Sequence, residues 1–440
     1  MSHAANWDLS DLKNRLKQAG SSQNTGTVHQ VRGLVIEANG PNLAIGDTCR
    51  IETRGGRASV FAEVVGFRDH KMLLMPFGDM NQLGPGSRVH AVAHAGAIPC
   101  GTSLLGRIIN GLGEPLDQGG ALEYDYERSL RARPPAALQR VPIQDVFQTG
   151  VRALDTFTPI GRGQRVGLFA GSGVGKSTLL GMLARGGDAD VNVVALIGER
   201  GREVREFIEN SLSQEALQRT VLIVSTSDEP AMVRLRAAYL ATSIAESFRD
   251  AGQNVLFMMD SVTRFAMAQR EIGLSVGEPP ASRGYPPSVF SLLPQLLERT
   301  GNGSRGSITA FYTVLVEGDD MNEPIADSVR GILDGHIVLS RKMATANIFP
   351  AIDVLESISR LATTIYSDES MGIVSQAREL LAVYRENEDL INIGAYVPKS
   401  SAAIDRAIEK RASLVQFLRQ GMRELTPSAA SFEKLKEIVT

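Results

Sequence analysis

A glycine-rich segment between residues 170 and 178 combines the residue types that bind a triphosphate. It follows the apolar run RVGLFA and precedes the helical run LLGMLAR, so it joins a predicted strand to a predicted helix. Glycines let backbone N–H groups converge on phosphate oxygens, and the N-terminus of the following helix favours an anion. The lysine would neutralise the terminal phosphates and the hydroxyl of Ser177 would bind Mg²⁺. The strict pattern has glycine where this chain has Ala170, which fits if alanine keeps a negative φ. The predicted nucleotide-binding residues are Ala170, Gly171, Ser172, Gly173, Val174, Gly175, Lys176, Ser177 and Thr178.

Two further predicted strands end in carboxylates that can act on the same ligand. The run NVLFMMD ends in Asp260, and a carboxylate beyond the C-terminal edge of a parallel sheet can bind the water shell of magnesium. The run VNVVALI is followed by Glu199 and Arg200. Hydrolysis of a triphosphate needs a group that orients the attacking water, and Glu199 is the predicted base. Arg200 is predicted to contact a phosphate or to orient that glutamate.

Composition narrows the classes of protein that could carry these motifs. At 440 residues the chain is expected to form two or three domains. Its formal net charge is -3, whereas nucleic-acid binders usually carry a basic surplus, so we expect no nucleic-acid partner. Cys49, Cys100 and the six histidines show no metal-binding spacing. Neither a signal peptide nor an apolar run near the ~20 residues that cross a bilayer is found, so a cytoplasmic location is expected.

Hydrophobic periodicity divides the chain into four predicted regions. Leucines spaced three and four apart predict a short amphipathic helix followed by a linker in 1–27. Short β-branched runs between turn residues predict a small antiparallel β-barrel over 28–95. Apolar runs that alternate with helical patterns predict a parallel sheet covered by helices over 96–365. The region 366–440 is predicted to be helical, with its last clear helix at 402–423. The predicted fold class is therefore α/β.

Together these segments resemble the ATP synthase α/β family over residues 28–440. The phosphate loop, the segment GERGREV and the segment PAIDVLESIS (350–359) match signatures of that family jointly. The resemblance implies a RecA-like P-loop core between a β-barrel and a helical domain. Arg360 directly follows the last signature and matches the arginine finger that reaches the neighbouring subunit's nucleotide. Phe349 matches the aromatic position that stacks on adenine, and Tyr396 is a second candidate for that pocket.

Glu199 is similar to the water-orienting glutamate that separates the catalytic subunits of the family from the non-catalytic ones. Residues 269–301 and 306–341 look like the protein-export branch of the family, and the former is most similar to its flagellar members. The resemblance implies an ATPase that uses ATP and Mg²⁺, acts as a homohexamer and energises type III protein export. It also implies a regulatory protein on the N-terminal helix, a coiled-coil stalk protein in the hexamer centre, export chaperones with their substrates, and peripheral attachment to a membrane export gate.

Other readings of the sequence stay open. The injectisome ATPase of type III secretion is a close relative, and parts of 306–341 fit either branch. A RecA-fold helicase also pairs a small β-domain with a hexameric motor, although the acidic pI counts against it. An ATP synthase catalytic subunit would need a second, homologous subunit, and the C-terminal helices lack the acidic motif expected there. A nucleotide-binding scaffold without turnover would not require Glu199 or Arg360.

Overall fold

The structure, a computed structural model, describes residues 25–56, 58–92, 96–136, 138, 140–316, 318 and 320–440. The chain forms two compact units. The first comprises the described residues up to Gly96 together with Ser275–Gly277, and the second comprises the other described residues. The amphipathic helix predicted near the N-terminus lies outside the described residues.

Within the described residues, the first unit is a closed barrel of six antiparallel strands. Its strands are β1 (Thr25–Arg32), β2 (Val35–Asn39), β3 (Thr48–Glu52), β4 (Ser59–Arg68), β5 (Lys71–Pro76) and β6 (Arg88–Ala91). They close in the order β1-β2-β5-β4-β3-β6. Alternate residues of a strand point to opposite faces, so the inward-facing Ile36, Ile51, Val64 and Leu74 fill the barrel. The predicted β-barrel is confirmed.

The second unit is built on a mainly parallel sheet, here called the central sheet. The strands of this unit are β7 (Ala97–Cys100), β8 (Ile108–Asn110), β9 (Tyr126–Ser129), β10 (Val146–Phe147), β11 (Ile160–Gly161), β12 (Arg165–Ala170), β13 (Val191–Glu199), β14 (Thr220–Thr226), β15 (Asn254–Asp260), β16 (Gly301–Asn302), β17 (Ser307–Leu315), β18 (Gly335–Leu339) and β19 (Ile352–Ser359). The strand order is β19-β18-β12-β17-β15-β13-β14-β8, with β16 attached to β17. In the described part of the sheet only β18–β19 and β16–β17 pair antiparallel. The predicted parallel sheet is confirmed by the parallel pairing of its inner strands, which are buried on both faces.

Helices cover the central sheet and continue to the C-terminus. They are α1 (Arg152–Phe157), α2 (Lys176–Gly186), α3 (Gly201–Glu206), α4 (Gln214–Gln218), α5 (Ala231–Asp250), α6 (Val262–Val276), α7 (Pro287–Leu297), α8 (Pro324–Ile332), α9 (Arg341–Thr345), α10 (Ala362–Ile365), α11 (Asp368–Asn392), α12 (Ala402–Leu418) and α13 (Ser428–Val439). A π-helical turn at Phe207–Ser211 follows α3. Among the described helices, none is both long and apolar enough to cross a membrane.

The C-terminal helices share a hydrophobic core with the sheet unit. Phe417 of α12 and Leu435 of α13 belong to the same buried cluster as Leu154 and Phe157 of α1. The predicted helix at 402–423 ends earlier, at Leu418. After Leu418 the chain leaves the helix, and the N–H of Gln420 bonds the carbonyl of Phe349, just before β19.

Candidate active site

The phosphate loop connects β12 to α2 on the side of the central sheet where the parallel strands end, here called its C-terminal edge. Ala170 is the last residue of β12, so its backbone is extended, a conformation that alanine adopts without strain. Gly173 and Gly175 have φ angles of 76° and 93°, which residues with a Cβ rarely adopt. Gly175 is also the N-cap of α2, and Lys176 is the first residue of that helix. The free N–H groups at this helix end are therefore placed to bind phosphate oxygens.

Lys176, Glu199 and Asp260 meet at this edge because they end or follow neighbouring parts of the sheet. The Nζ atom of Lys176 lies 2.5 Å from Oδ1 of Asp260 and 3.4 Å from Oε1 of Glu199. The hydroxyl of Thr313 donates a 2.7 Å hydrogen bond to the same Oδ1. Strands β13 and β15 pair in parallel with Leu196 opposite Asp260, which brings both carboxylates to one edge. Three residues predicted from separate segments thus form one cluster.

Burial and the charges of its neighbours shift the ionisation of this cluster. Burial raises the pKa of Glu199 to about 7, and the carboxylate of Asp260 adds to the shift while Lys176 opposes it. Burial disfavours the charge on Lys176, but the carboxylates of Asp260 and Glu199 outweigh burial and raise the pKa of the lysine. A carboxyl group with a pKa near neutrality is suited to exchange a proton with water at physiological pH.

Arg200 lies next to this cluster and is joined to it through another carboxylate. Its side chain is 76% exposed, and its guanidinium lies 3.3 Å from Oε1 of Glu203. Glu203 in turn shares a hydrogen bond with Glu199. Of the two predicted roles, contact with phosphate or orientation of the glutamate, this arrangement favours the second, with Glu203 as the intermediary.

Ser177 and Asp260 provide the oxygens expected for magnesium. Ser177 is exposed in the first turn of α2, and Asp260 ends β15. The described residues contain no cluster of three or more His, Cys, Asp or Glu side chains that could hold a metal alone. Mg²⁺ commonly takes one or two protein oxygens and fills its other positions with water and substrate phosphates. A hydroxyl and a carboxylate beside a phosphate loop therefore fit this ion.

Arg360 lies at the opposite edge of the central sheet from the phosphate loop, on the side where the parallel strands begin. Because β19 is antiparallel to β18, Ile352 lies at the phosphate-loop edge and Ser359 lies at the other. Strand β19 has eight residues, so at about 3.3 Å per residue its ends are about 23 Å apart. There the guanidinium of Arg360 donates a 3.2 Å hydrogen bond to the carbonyl of Arg330, and its backbone N–H bonds the carbonyl of Asp334. The side chain cannot reach the phosphate loop of its own chain.

Phe349 and Tyr396 were predicted for one pocket, and the structure separates them. The ring of Phe349 is 40% exposed and lies 3.7 Å from the position that a Cβ on Gly175 would occupy. The hydroxyl of Tyr396 bonds the carbonyl of Ser401, just before α12 begins. Gln420, just beyond the other end of α12, bonds the carbonyl of Phe349. Since α12 has 17 residues and rises about 1.5 Å per residue, Ser401 and Gln420 flank a helix about 25 Å long, and the two aromatic residues are held at its opposite ends. Phe349 belongs to the phosphate-loop site, and Tyr396 is not brought to it.

Sequence reasoning missed Arg264, which lies beside Glu199. Its side chain packs against Gly198, where an added Cβ would lie 3.0 Å from the Cβ and Cγ atoms of Arg264. The Nε atom of Arg264 is buried and has no hydrogen-bond partner among the described residues. Its Nη1 atom donates a 3.6 Å hydrogen bond to the sulfur of Met267, and the side chain as a whole is half-buried. The available signal was its position about one helical turn after Asp260, in the helix that follows the strand.

This combination of loop, lysine, strand-end carboxylates and parallel sheet defines the class of phosphate-loop nucleoside triphosphatases. Three family models match the chain in succession. The ATP synthase alpha/beta family, beta-barrel domain, matches residues 28–92 and the nucleotide-binding domain of the same family matches 150–359. The T3SS EscN ATPase C-terminal domain matches 366–437. The chain belongs to the ATP synthase alpha/beta family, as its sequence motifs predicted.

Individual relatives match almost the whole chain. The flagellum-specific ATP synthase of Bacillus subtilis is 54% identical over 93% of this chain and 94% of the relative. The assembled ATPase EscN from the type III secretion system of enteropathogenic E. coli is 45% identical, with a TM-score of 0.90 over 94% of this chain and 100% of that one. The same ATPase in complex with its central stalk EscO is 44% identical and has a TM-score of 0.87, over 94% and 100% of the two chains.

Proposed function

We propose that this chain hydrolyses MgATP at the interfaces between its own copies in a homohexameric ring, and that hydrolysis energises type III protein export by the bacterial flagellum. One observation carries the interfacial mechanism: the phosphate loop and Arg360 lie at opposite edges of the same sheet. A single chain therefore holds one half of a catalytic site at each edge. A complete site needs two chains.

Binding of the nucleotide exchanges the partners of Lys176. The phosphate oxygens, together with the N–H groups of the loop, would draw the lysine away from Asp260 and Glu199. Glu199 is then free to accept a hydrogen bond from the attacking water and to orient it. Ser177 and Asp260 would hold Mg²⁺, which neutralises charge on the terminal phosphates. Arg264, whose side chain packs against Gly198, would supply a further positive charge near the site.

The neighbouring copy completes the site with Arg360. Negative charge spreads over the transferred phosphoryl group in the transition state, and an arginine supplied in trans is commonly worth about 10³–10⁵ in rate. Contacts of this head-to-tail kind close into a ring when the rotation between copies permits it. EscN, 45% identical to this chain, forms an assembly, and this likeness supports a ring for the present chain.

The turn between α11 and α12 supports a central stalk as a partner. This turn and the last turn of α11 expose Leu390, Ile393 and Val397, apolar side chains that would otherwise be expected in a core. EscN binds its central stalk EscO, and we assign a coiled-coil stalk to this chain by the same likeness. A regulatory protein on the N-terminal segment, export chaperones with their substrates, and a peripheral position at a membrane export gate complete the proposal. Nucleic acid has no part in it.

The flagellar assignment rests on identity, 54% to the flagellum-specific ATP synthase of Bacillus subtilis against 47% to the type 3 secretion system ATPase of Xanthomonas euvesicatoria. Expression of this chain in a flagellated bacterium that lacks its own flagellar export ATPase should restore export of flagellar proteins into the medium. Restoration of an injectisome instead, in a strain that lacks its injectisome ATPase, would favour the virulence branch.

The interfacial mechanism is tested by the ATPase rate per subunit against protein concentration. If two chains build each site, the rate per subunit rises with concentration and levels off when the ring has assembled. A rate per subunit independent of concentration, at concentrations where sedimentation shows only monomer, would contradict interfacial hydrolysis.

A further inference from the structure

Arg360 extends from the end of a weakly paired strand. In the described sheet, β19 stands last in the strand order and pairs with β18. Its final residues form two consecutive pairs with β18, Ser359 with Gly335 and Ile358 with His336, before the register shifts. An edge strand lacks a second neighbour to hold its backbone. The direction in which Arg360 points therefore depends on contacts outside the strand ladder.

Gln164 supplies such contacts from the turn that leads into β12. Its side chain is fully buried. The Nε2 atom donates to the carbonyl of Asp334 at 2.9 Å and to the hydroxyl of Ser359 at 3.2 Å. The Oε1 atom accepts a 2.7 Å hydrogen bond from the N–H of Gly161. The amide thus uses both of its donor hydrogens and its acceptor to join the turn to the ends of β18 and β19.

The carbonyl of Asp334 is shared between this amide and the backbone of Arg360. It accepts the bond from Gln164 and a 3.1 Å bond from the N–H of Arg360. The carboxylate of Asp334 is bonded in turn by Arg165, the first residue of β12, at 2.9 and 3.1 Å. Because β12 lies between β18 and β17, the backbone of Arg360 is connected to an inner strand of the sheet. The exposed guanidinium bonds the carbonyl of Arg330 and stays accessible to another chain.

Gly335 allows the close approach on which this arrangement depends. A Cβ added there would lie 2.6 Å from the carbonyl oxygen of Ile358 and 3.3 Å from Nε2 of Gln164. A side chain at this position would therefore push the end of β19 away from β18 and displace the amide.

We propose that Gln164 is a positioning residue for the arginine finger, which sets the direction of Arg360 toward the nucleotide of the neighbouring copy. This inference rests on the proposed function, because Arg360 acts only where a second chain supplies the phosphate loop. A displacement of about 1 Å in a catalytic group can lower the rate about a hundredfold. Gln164 acts on that placement through Asp334 and Ser359.

The variant Gln164→Met nearly keeps the size of the side chain and removes its hydrogen bonds. In the full-length chain we expect kcat to fall about tenfold to a hundredfold. The Kd for MgATP should stay close to that of the wild type, because the phosphate loop is intact. Gln253→Met, at an exposed position just before β15 and on the same side of the sheet, is the matched control and should be fully active. A wild-type kcat in Gln164→Met would overturn the inference. If this variant does not fold, Gln164→Asn takes its place, since it keeps the amide but is too short to reach both acceptors.

Mixed rings separate a finger effect from damage to the chain's own phosphate loop, which follows the same strand β12. Mixed in equal amounts with Glu199→Gln, which has an intact finger, Gln164→Met should regain about a quarter of the wild-type rate. Mixed with Arg360→Ala, which has no finger, it should gain nothing. The opposite pattern would overturn the inference, because the loop of the Gln164→Met chain would then be at fault.

A double variant gives a second readout. Arg360→Ala with Gln164→Met should be as slow as Arg360→Ala alone, since the amide has nothing to position once the finger is removed. Losses that multiply would overturn the inference, because Gln164 would then act independently of Arg360. Full activity of the single variant Arg360→Ala would instead reject the interfacial mechanism of the proposed function.

Discussion

The two edges of the central sheet carry functional side chains in opposite environments. At the phosphate-loop edge, Lys176, Glu199 and Asp260 are largely buried and bonded to one another. At the other edge, Arg360 is exposed, and among the described residues no carboxylate pairs with it. The loop edge contains charges that compensate each other before a ligand arrives. The Arg360 edge presents a cation whose partner has to come from another molecule.

This difference has a physical origin. A buried charge must be paired within its own chain, because desolvation without a partner costs several kcal/mol, on the order of the whole stability of a domain. An exposed arginine is solvated by water and needs no internal partner. The loop edge can therefore be understood from one chain, whereas Arg360 gains a role only when a second chain covers it.

The largest expected effect is at the exposed edge. Arg360→Ala should lower kcat by about a thousandfold or more, because a trans arginine acts on the charge of the transition state. The Kd for ATP should remain close to that of the wild type, since the loop edge is intact. Steady-state kinetics and calorimetric titration measure the two quantities. Arg305→Ala, an exposed arginine in a different loop, is the control and should be fully active. Full activity of Arg360→Ala would contradict a catalytic role for the arginine at the second edge.

A smaller effect is expected from the aromatic residue at the loop edge. Phe349→Ala should weaken ATP binding by about tenfold to a hundredfold, the range measured for base–aromatic stacking. Tyr396→Ala should leave ATP binding unchanged, because α12 separates that ring from the site. Binding of tripolyphosphate, which has no base to stack, checks that the loop of each variant is intact. Loss of ATP affinity in Tyr396→Ala would mean that Tyr396 does contribute to the pocket for the base of ATP.

The smallest expected effect concerns the protonation of the loop edge. Burial raises the pKa of Glu199 to about 7, so kcat/KM for ATP should rise with pH through that value as the glutamate loses its proton. Glu203 also raises the pKa of Glu199. Its replacement in Glu203→Gln should move the midpoint of the profile to lower pH. Protonation of ATP itself is the same for both proteins and cancels in the comparison. A midpoint that does not move would show that Glu203 does not influence the pKa of Glu199.

Features that consist of a local pattern could be predicted from the sequence. The loop, the strand-end carboxylates and the barrel strands each occupy one short window, because their chemistry depends on neighbours along the chain. The end of α12 could not be predicted in this way. Arg419 and Gln420 are good helix formers, so 402–423 reads as one helix. Hydrogen bonds to Gly150 and Phe349, which lie far away in sequence, override that preference.

The remaining site residues depended on tertiary placement. Tyr396 shared an aromatic character with Phe349, but residue type alone does not show on which side of a 17-residue helix a ring lies. Arg264 was overlooked because one arginine in an amphipathic helix resembles an ordinary surface charge. Its position beside the site becomes visible only when Gly198, with its φ of 68°, brings the end of β13 against it.

Mixing of two inactive variants tests the divided site most directly. Arg360→Ala keeps the base and lacks the finger, whereas Glu199→Gln keeps the finger and lacks the base. In rings assembled from equal amounts of both, about a quarter of the head-to-tail interfaces should pair an intact Glu199 with an intact Arg360. The account predicts that the ATPase rate of the mixture rises to about that fraction of the wild-type rate. A mixture as inactive as its two components, in rings shown to contain both, would contradict a site shared between two chains.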